Sequence, residues 1–210
     1  MEHGLPKTRV SSRRRLTPRH RMHRRSRSLL LAATLPLTVL SSAVARAISP
    51  ATDLALTASL SGKTLTVTRG VDTVKVYDVA VGADRHPTPT GTFAIRKIVW
   101  NPAWVPPKEK WAKGKAPKDP GHPENPMKLV KLFFQEPDYY IHGTDAVETL
   151  GQAASHGCLR MDPNDAGELG LMVMENAGVA RNWDWVKGLL HLGEHRTVAL
   201  QRPTALTIVR

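Results

Sequence analysis

Residues 141–161 read IHGTDAVETLGQAASHGCLRM and hold the only cysteine of the chain, Cys158, one glycine after His156. On their N-terminal side DYYIH, residues 138–142, predicts a strand from its aromatic and β-branched content. On their C-terminal side DPNDAGELGLMVMENAG, residues 162–178, predicts a helix: Asp162 can cap it, Pro163 takes the first helical position and Asp165 the third. Its apolar face is Ala166, Leu169, Met172, Val173 and Ala177, and Gly178 stops it. The thiol is therefore expected between a strand and a helix, on a turn where Gly157 permits close backbone approach.

Farther out, period-two alternation of Val, Leu and Thr marks strands in LALTASL (54–60), KTLTVTR (63–69) and VDTVKVYDVAVG (71–82), with turns at Ser61-Gly62 and Arg69-Gly70. A Pro-rich turn, RHPTPTG, leads into TFAIRKIVW (92–100), and KLVKLFF (128–134) continues the series. Between Asn101 and Met127 seven prolines and five lysines interrupt regular structure. Trp104 and Trp111 in this segment are costly to leave in water, so part of it is expected to pack as a lid over a site. A second short helix, about 182–192, ends at Gly193, and RTVALQRPTALTIVR (196–210) supplies terminal strands. The C-terminal extension 179–210 is expected to cap the sheet. Strands dominate, so the fold class is mainly β with a few short helices.

The net charge of +12 does not point to nucleic acid. Residues 1–47 carry eleven of the 30 Lys and Arg against one acid, Glu2, leaving 19 bases and 17 acids on residues 48–210. A nucleic-acid footprint belongs on the folded part, and none is visible there. The basic run ends at Arg27, an uncharged segment SLLLAATLPLTVLSSAVA follows, and Ala45-Arg46-Ala47 fits small-x-small cleavage. Residues 1–47 are thus expected to be a cleaved secretory signal peptide, by the Sec or the Tat route, with the mature protein starting at Ile48. The apolar part falls short of the ~20 residues a permanent span needs. The protein is expected to be exported, touching the membrane only through its signal.

In an oxidising compartment an unpaired cysteine is a reactive thiol or an intermolecular link. At neutral pH an ordinary thiol is only a few per cent thiolate, and a nearby imidazole can take its proton. His142 and His156 supply two imidazoles if the segments YIHGT and SHGC adjoin. Attack on an acyl carbon also needs donors for the tetrahedral oxyanion, most simply backbone N–H groups beside the nucleophile.

These residues resemble a known family. His142-Gly143-Thr144, followed by Ser155-His156-Gly157-Cys158-Leu159-Arg160, resembles the signature of L,D-transpeptidase (YkuD-type) catalytic domains, in particular the proteobacterial periplasmic type. HPTPTGTF ending at Phe93, NPAWVPP at 101–107 and ENPM at 124–127 extend the likeness, which covers about Leu54 to Gly178. The resemblance implies a mixed, sandwich-like β-sheet domain over residues 48–210 with a cleft under a lid loop, 101–127. It implies acyl transfer on peptidoglycan stem peptides: Cys158 attacks the carbonyl between the L-centre of the third residue and the terminal D-amino acid, and D-alanine leaves. An amine acceptor then gives a cross-link or an attachment.

The same resemblance makes His142 the base, oriented by the Gly143 carbonyl, and has His156, Gly157 and Cys158 shape the oxyanion pocket. Arg160, Tyr140, Ser155 and Trp104 are expected around the substrate. Arg160 either binds a substrate carboxylate or braces the turn, and Ser155 is a structural hydrogen-bonding residue. Carbapenem-type β-lactams are implied as inhibitors of the thiol, and no metal or cofactor is called for.

Three other readings share these residues. Cys158, His142 and His156 are zinc-ligand types, but no acidic partner for the histidines appears in the motif. A non-catalytic peptidoglycan-binding domain would need no reactive thiol. An L,D-carboxypeptidase, with water as acceptor, shares the acyl-enzyme and stays open.

Overall fold

In the computed structural model, which describes residues 53–210, the alternating segments form strands: β1 (Leu54–Ser59), β2 (Thr64–Arg69), β3 (Asp72–Asp78), β4 (Val81–Gly82), β5 (Gly91–Trp100), β6 (Lys128–Gln135) and β7 (Tyr139–Gly143). Two short strands, β8 (Ala153–Ser155) and β9 (Leu159–Met161), flank the cysteine turn, and helices α1 (Pro163–Asn176) and α2 (Trp183–His191) precede a long last strand, β10 (Arg196–Val209). Among the described residues strand makes up 42% and helix 18%, which is mainly β. The signal-peptide expectation for residues 1–47 falls outside the described residues.

One sheet has the order β3-β2-β1-β10-β5-β6-β7-β9 and a second pairs β4 with β8. The large sheet is mixed: β1 with β10 and β7 with β9 run parallel and its other pairs antiparallel, while β4 and β8 of the second sheet run parallel. The segment read as one strand over 71–82 is two, because β3 stays on the sheet edge while β4 leaves to pair with β8.

The larger departure concerns the C-terminus. The extension contributes a single 14-residue strand in mid-sheet, between β1 and β5, rather than a cap. Leu200, Thr204, Leu206 and Ile208 are buried there, and the register shifts between Ala199 and Thr204, where Pro203 cannot donate to a ladder.

Helix α1 forms as its caps predict: the Asp162 side chain accepts from the Asn164 N–H at 2.8 Å, and Pro163 occupies the first turn. It buries Ala166, Leu169, Val173 and Met174 in the core, whereas Met172 is only half-buried. The apolar face is thus rotated towards Met174, whose Sδ accepts from Nε1 of the fully buried Trp100 at 3.1 Å. Helix α2 is capped by Asn182, whose side chain accepts from the Trp185 N–H, and Trp185 meets Trp100 edge-on at 5.8 Å.

Candidate active site

Three neighbouring strands build the site by register alone. Lys131 on β6, His142 on β7 and Arg160 on β9 are cross-strand partners in one row. Two residues along, Phe133 and Tyr140 pair in the next row, and Cys158, one position before β9, continues it. Residues two apart on a strand share a face, so these six side chains share one. The intervening row, Leu132, Ile141 and Leu159, faces the opposite way into the core and is fully buried.

His142 is buried. Its Nδ1 lies 2.8 Å from the Gly143 carbonyl oxygen. A carbonyl only accepts, so Nδ1 carries the proton and Nε2 is left with a free lone pair. Burial pushes the imidazole down to about 3, with the Gly143 bond opposing and the Arg160 and Lys131 charges adding. The ring is therefore neutral at pH 7. Gly143 lies where a Cβ would come within 2.5 Å of the Lys128 carbonyl oxygen, so no side chain fits beside this bond.

The cysteine turn is braced by its own serine. Ser155 is buried; its Oγ donates to the Cys158 carbonyl at 2.6 Å and accepts the Gly157 N–H at 3.0 Å. Gly157 has φ +104°, and a Cβ there would meet the Tyr139 ring at 2.7 Å. Cys158 is half-buried, and its Sγ donates to the Asp138 carbonyl at 3.3 Å. Burial pushes the thiol up to about 11, opposed by the Tyr140 N–H, the Lys131 and Arg160 cations and the Tyr140 hydroxyl. Tyr140 is itself pushed upward, first by burial and then by Cys158, so its hydroxyl stays protonated as a donor. Among the described residues no hydrogen bond joins His142 to Cys158.

The loop 101–127 covers one side of this face. Trp104 is buried, and its backbone exchanges two hydrogen bonds with Lys118, at 2.8 and 2.9 Å. Buried Asn125 ties the loop together by donating to the carbonyls of Pro102 and Asp119 and accepting from the Met127 N–H. Trp111, on a 3-10 turn at Lys110–Ala112, stacks on the His156 ring with centroids 3.9 Å apart, and the tilted His86 ring packs against the same imidazole at 4.7 Å. His156 thus turns its ring to the loop, and partial burial and then His86 push its pKa down. Beneath the loop lies a cavity of about 420 Å³ whose walls include Trp104, Trp111, Lys115, His156 and Arg160. The Arg160 guanidinium has no ion-pair partner among the described residues.

A sequence model of the YkuD family, the L,D-transpeptidase catalytic domain, matches residues 53–180, more than half of the chain. The chain belongs to this family. YkuD of Bacillus subtilis (strain 168), to which an L,D-transpeptidase activity is provisionally ascribed, is 31% identical over 124 residues, covering 59% of this chain and 63% of that protein. The "Probable L,D-transpeptidase YbiS" of Escherichia coli (strain K12) is 32% identical over 104 residues, covering 46% of this chain and 34% of that protein. The match spans less than two thirds of either relative's length. The NMR structure of the catalytic domain of the E. faecium L,D-transpeptidase aligns with a TM-score of 0.48 at 16% identity, covering 74% of this chain and 96% of that one.

Within this L,D-transpeptidase domain the structure brings Cys158, His142, Tyr140 and Arg160 onto one face, with Ser155 and Gly157 in the turn that presents the thiol and Trp104 in the cavity wall. Sequence reasoning passed over Lys131, His86, Asn125 and Asp138. His86 and Asn125 lie in HPTPTGTF and ENPM, stretches that carried the likeness without giving these two residues a role, and Lys131 and Asp138 carried no signal of a site.

Proposed function

We propose that the protein is an exported, cell-wall L,D-transpeptidase in which Cys158 is the nucleophile and His142 the base. The observation that supports this most directly is the neutral, Nδ1-protonated imidazole of His142 on the sheet face that carries Cys158. In the resting state the sulfur is a thiol donating to the Asp138 carbonyl. Attack on the stem-peptide carbonyl passes the thiol proton to Nε2 as the C–S bond forms. The tetrahedral intermediate collapses, the C–N bond breaks, and the imidazolium returns the proton to the departing D-alanine amine.

An acceptor amine then attacks the thioester; the new amide forms, the C–S bond breaks, and the thiol is regenerated. The Gly157 N–H is engaged by Ser155, so the backbone donors left at the turn for the oxyanion are those of His156 and Cys158, with the Tyr140 hydroxyl beside the sulfur. Arg160, with no carboxylate of its own, faces the cavity as the binding group for a stem carboxylate. Gly143 and His156 act by position: one carbonyl orients the base, and one ring supports the loop. A carbapenem-type β-lactam would acylate the same thiol, opening its ring as the C–N bond breaks.

Incubation with a disaccharide tetrapeptide tests this reading. Release of D-alanine with formation of cross-linked dimer is the expected result. Tripeptide without dimer would assign a carboxypeptidase instead, and binding without any product would assign a wall-binding module.

A further inference from the structure

Lys131 has a place in this site that no motif announces. It is a lysine on a central strand, only 9% exposed, in the row of His142 and Arg160 and next to the row of Tyr140 and Cys158. Its Nζ donates to the Ala103 carbonyl at 3.3 Å and sits 4.7 Å from the centre of the Tyr140 ring. Among the described residues it has no carboxylate partner. A buried ammonium without a counter-ion is costly. On the face it shares, the adjoining row carries the Cys158 sulfur, which becomes an anion once ionised and then favours the charged lysine.

We propose that Lys131 is an electrostatic positioning residue of the acyl-transfer reaction: its buried ammonium stabilises the Cys158 sulfur as negative charge develops there. The inference rests on the Cys158–His142 reading above. Facing the sulfur are Tyr140 and His142 from β7, Arg160 from β9 and the Asp138 carbonyl from the turn between β6 and β7. Facing Lys131 are Lys97 from β5, which pairs with Glu136, and the Ala103 carbonyl from the loop. Burial pushes Lys131 down to about 8. It is charged when the thiol reacts at pH 7 and loses that charge as pH rises through 8, before the thiol itself titrates. The two groups therefore titrate as a coupled pair.

The test is the alkylation rate of Cys158 by iodoacetamide from pH 6.5 to 10, followed by peptide mass mapping. It needs no wall substrate, so it is independent of whether transpeptidation is the reaction. An isolated thiol gains about tenfold in rate per pH unit below its pKa. In the unmodified protein the rate is expected to rise, flatten for about one pH unit near 8 as the ammonium is lost, then rise again. Lys131→Met is expected to start about tenfold slower at pH 7, to show no flattening and to meet the unmodified protein near pH 10. Lys131→Arg keeps its charge and is expected to match the unmodified protein at pH 7 and exceed it at pH 9.

A featureless rise in the unmodified protein, or a folded Lys131→Met with the unmodified rate at pH 7, overturns the inference. If Lys131→Met does not fold, the profile of the unmodified protein decides alone. Loss of stem-peptide turnover with these profiles intact would count against the transpeptidase reading and not against Lys131.

Discussion

At the scale of single residues, the state of His142 is linked to stability. Its pKa is about 3 in the folded protein against the 6.5 of an unperturbed imidazole, mainly through burial. Between those values the unfolded chain binds the extra proton. The contribution is therefore complete above about pH 6.5 and is lost as pH falls towards 3, at up to about 1.4 kcal/mol per unit. Thermal unfolding of His142→Gln is expected to depend less on pH between 7 and 4 than that of the unmodified protein. Parallel curves would contradict the buried neutral ring. Cys158 and His142 were legible because both sit in a glycine-flanked motif with few structural explanations. Lys131 was not, since a lysine in a strand reads as a solvent-facing position until the register of three strands is known. The engagement of the Gly157 N–H by Ser155 was equally hidden, because a hydroxyl two residues from the chain atom it braces leaves no mark in the spacing.

Among the elements, the loop 101–127 is where function depends on packing with little regular structure. Its tryptophans and prolines marked it as a covering segment. What shapes it is the Asn125 side chain and the Trp104–Lys118 backbone pair, which no pattern of spacing displays. The Trp111–His156 stack fastens it to the cysteine turn. Aromatic pairs contribute about 0.5–1.5 kcal/mol, so Trp111→Ala is expected to loosen the loop and lower kcat/KM roughly two- to tenfold, with a loss of folding stability no larger than that contribution. Unaltered kinetics would show that the stack plays no part in turnover. Helix α1 was legible in its caps and its ends, but its face was misjudged by part of a turn. Met174 is drawn inward by Trp100, a partner from a strand 74 positions away in sequence.

For the whole molecule, the decisive feature is β10. The family match ends at residue 180, yet the strand between β1 and β5 comes from 196–209. RTVALQRPTALTIVR reads as supplying terminal strands, but nothing local says that it forms one continuous strand or that this strand enters mid-sheet. Non-local pairing of this kind is set by which edges remain to be covered. A chain ending at Gly193 would leave β1 and β5 without their shared neighbour. It is expected to lose cooperative unfolding and to be cut rapidly by protease, whereas retention of a cooperative transition would show that β10 is dispensable to the fold.

The nucleophilic role of Cys158 is tested most directly by intact-protein mass spectrometry during incubation with a disaccharide tetrapeptide, beside Cys158→Ala. The account predicts an adduct equal to the donor less its terminal D-alanine on the unmodified protein alone. A folded protein with a titratable thiol that shows neither adduct nor turnover would contradict it.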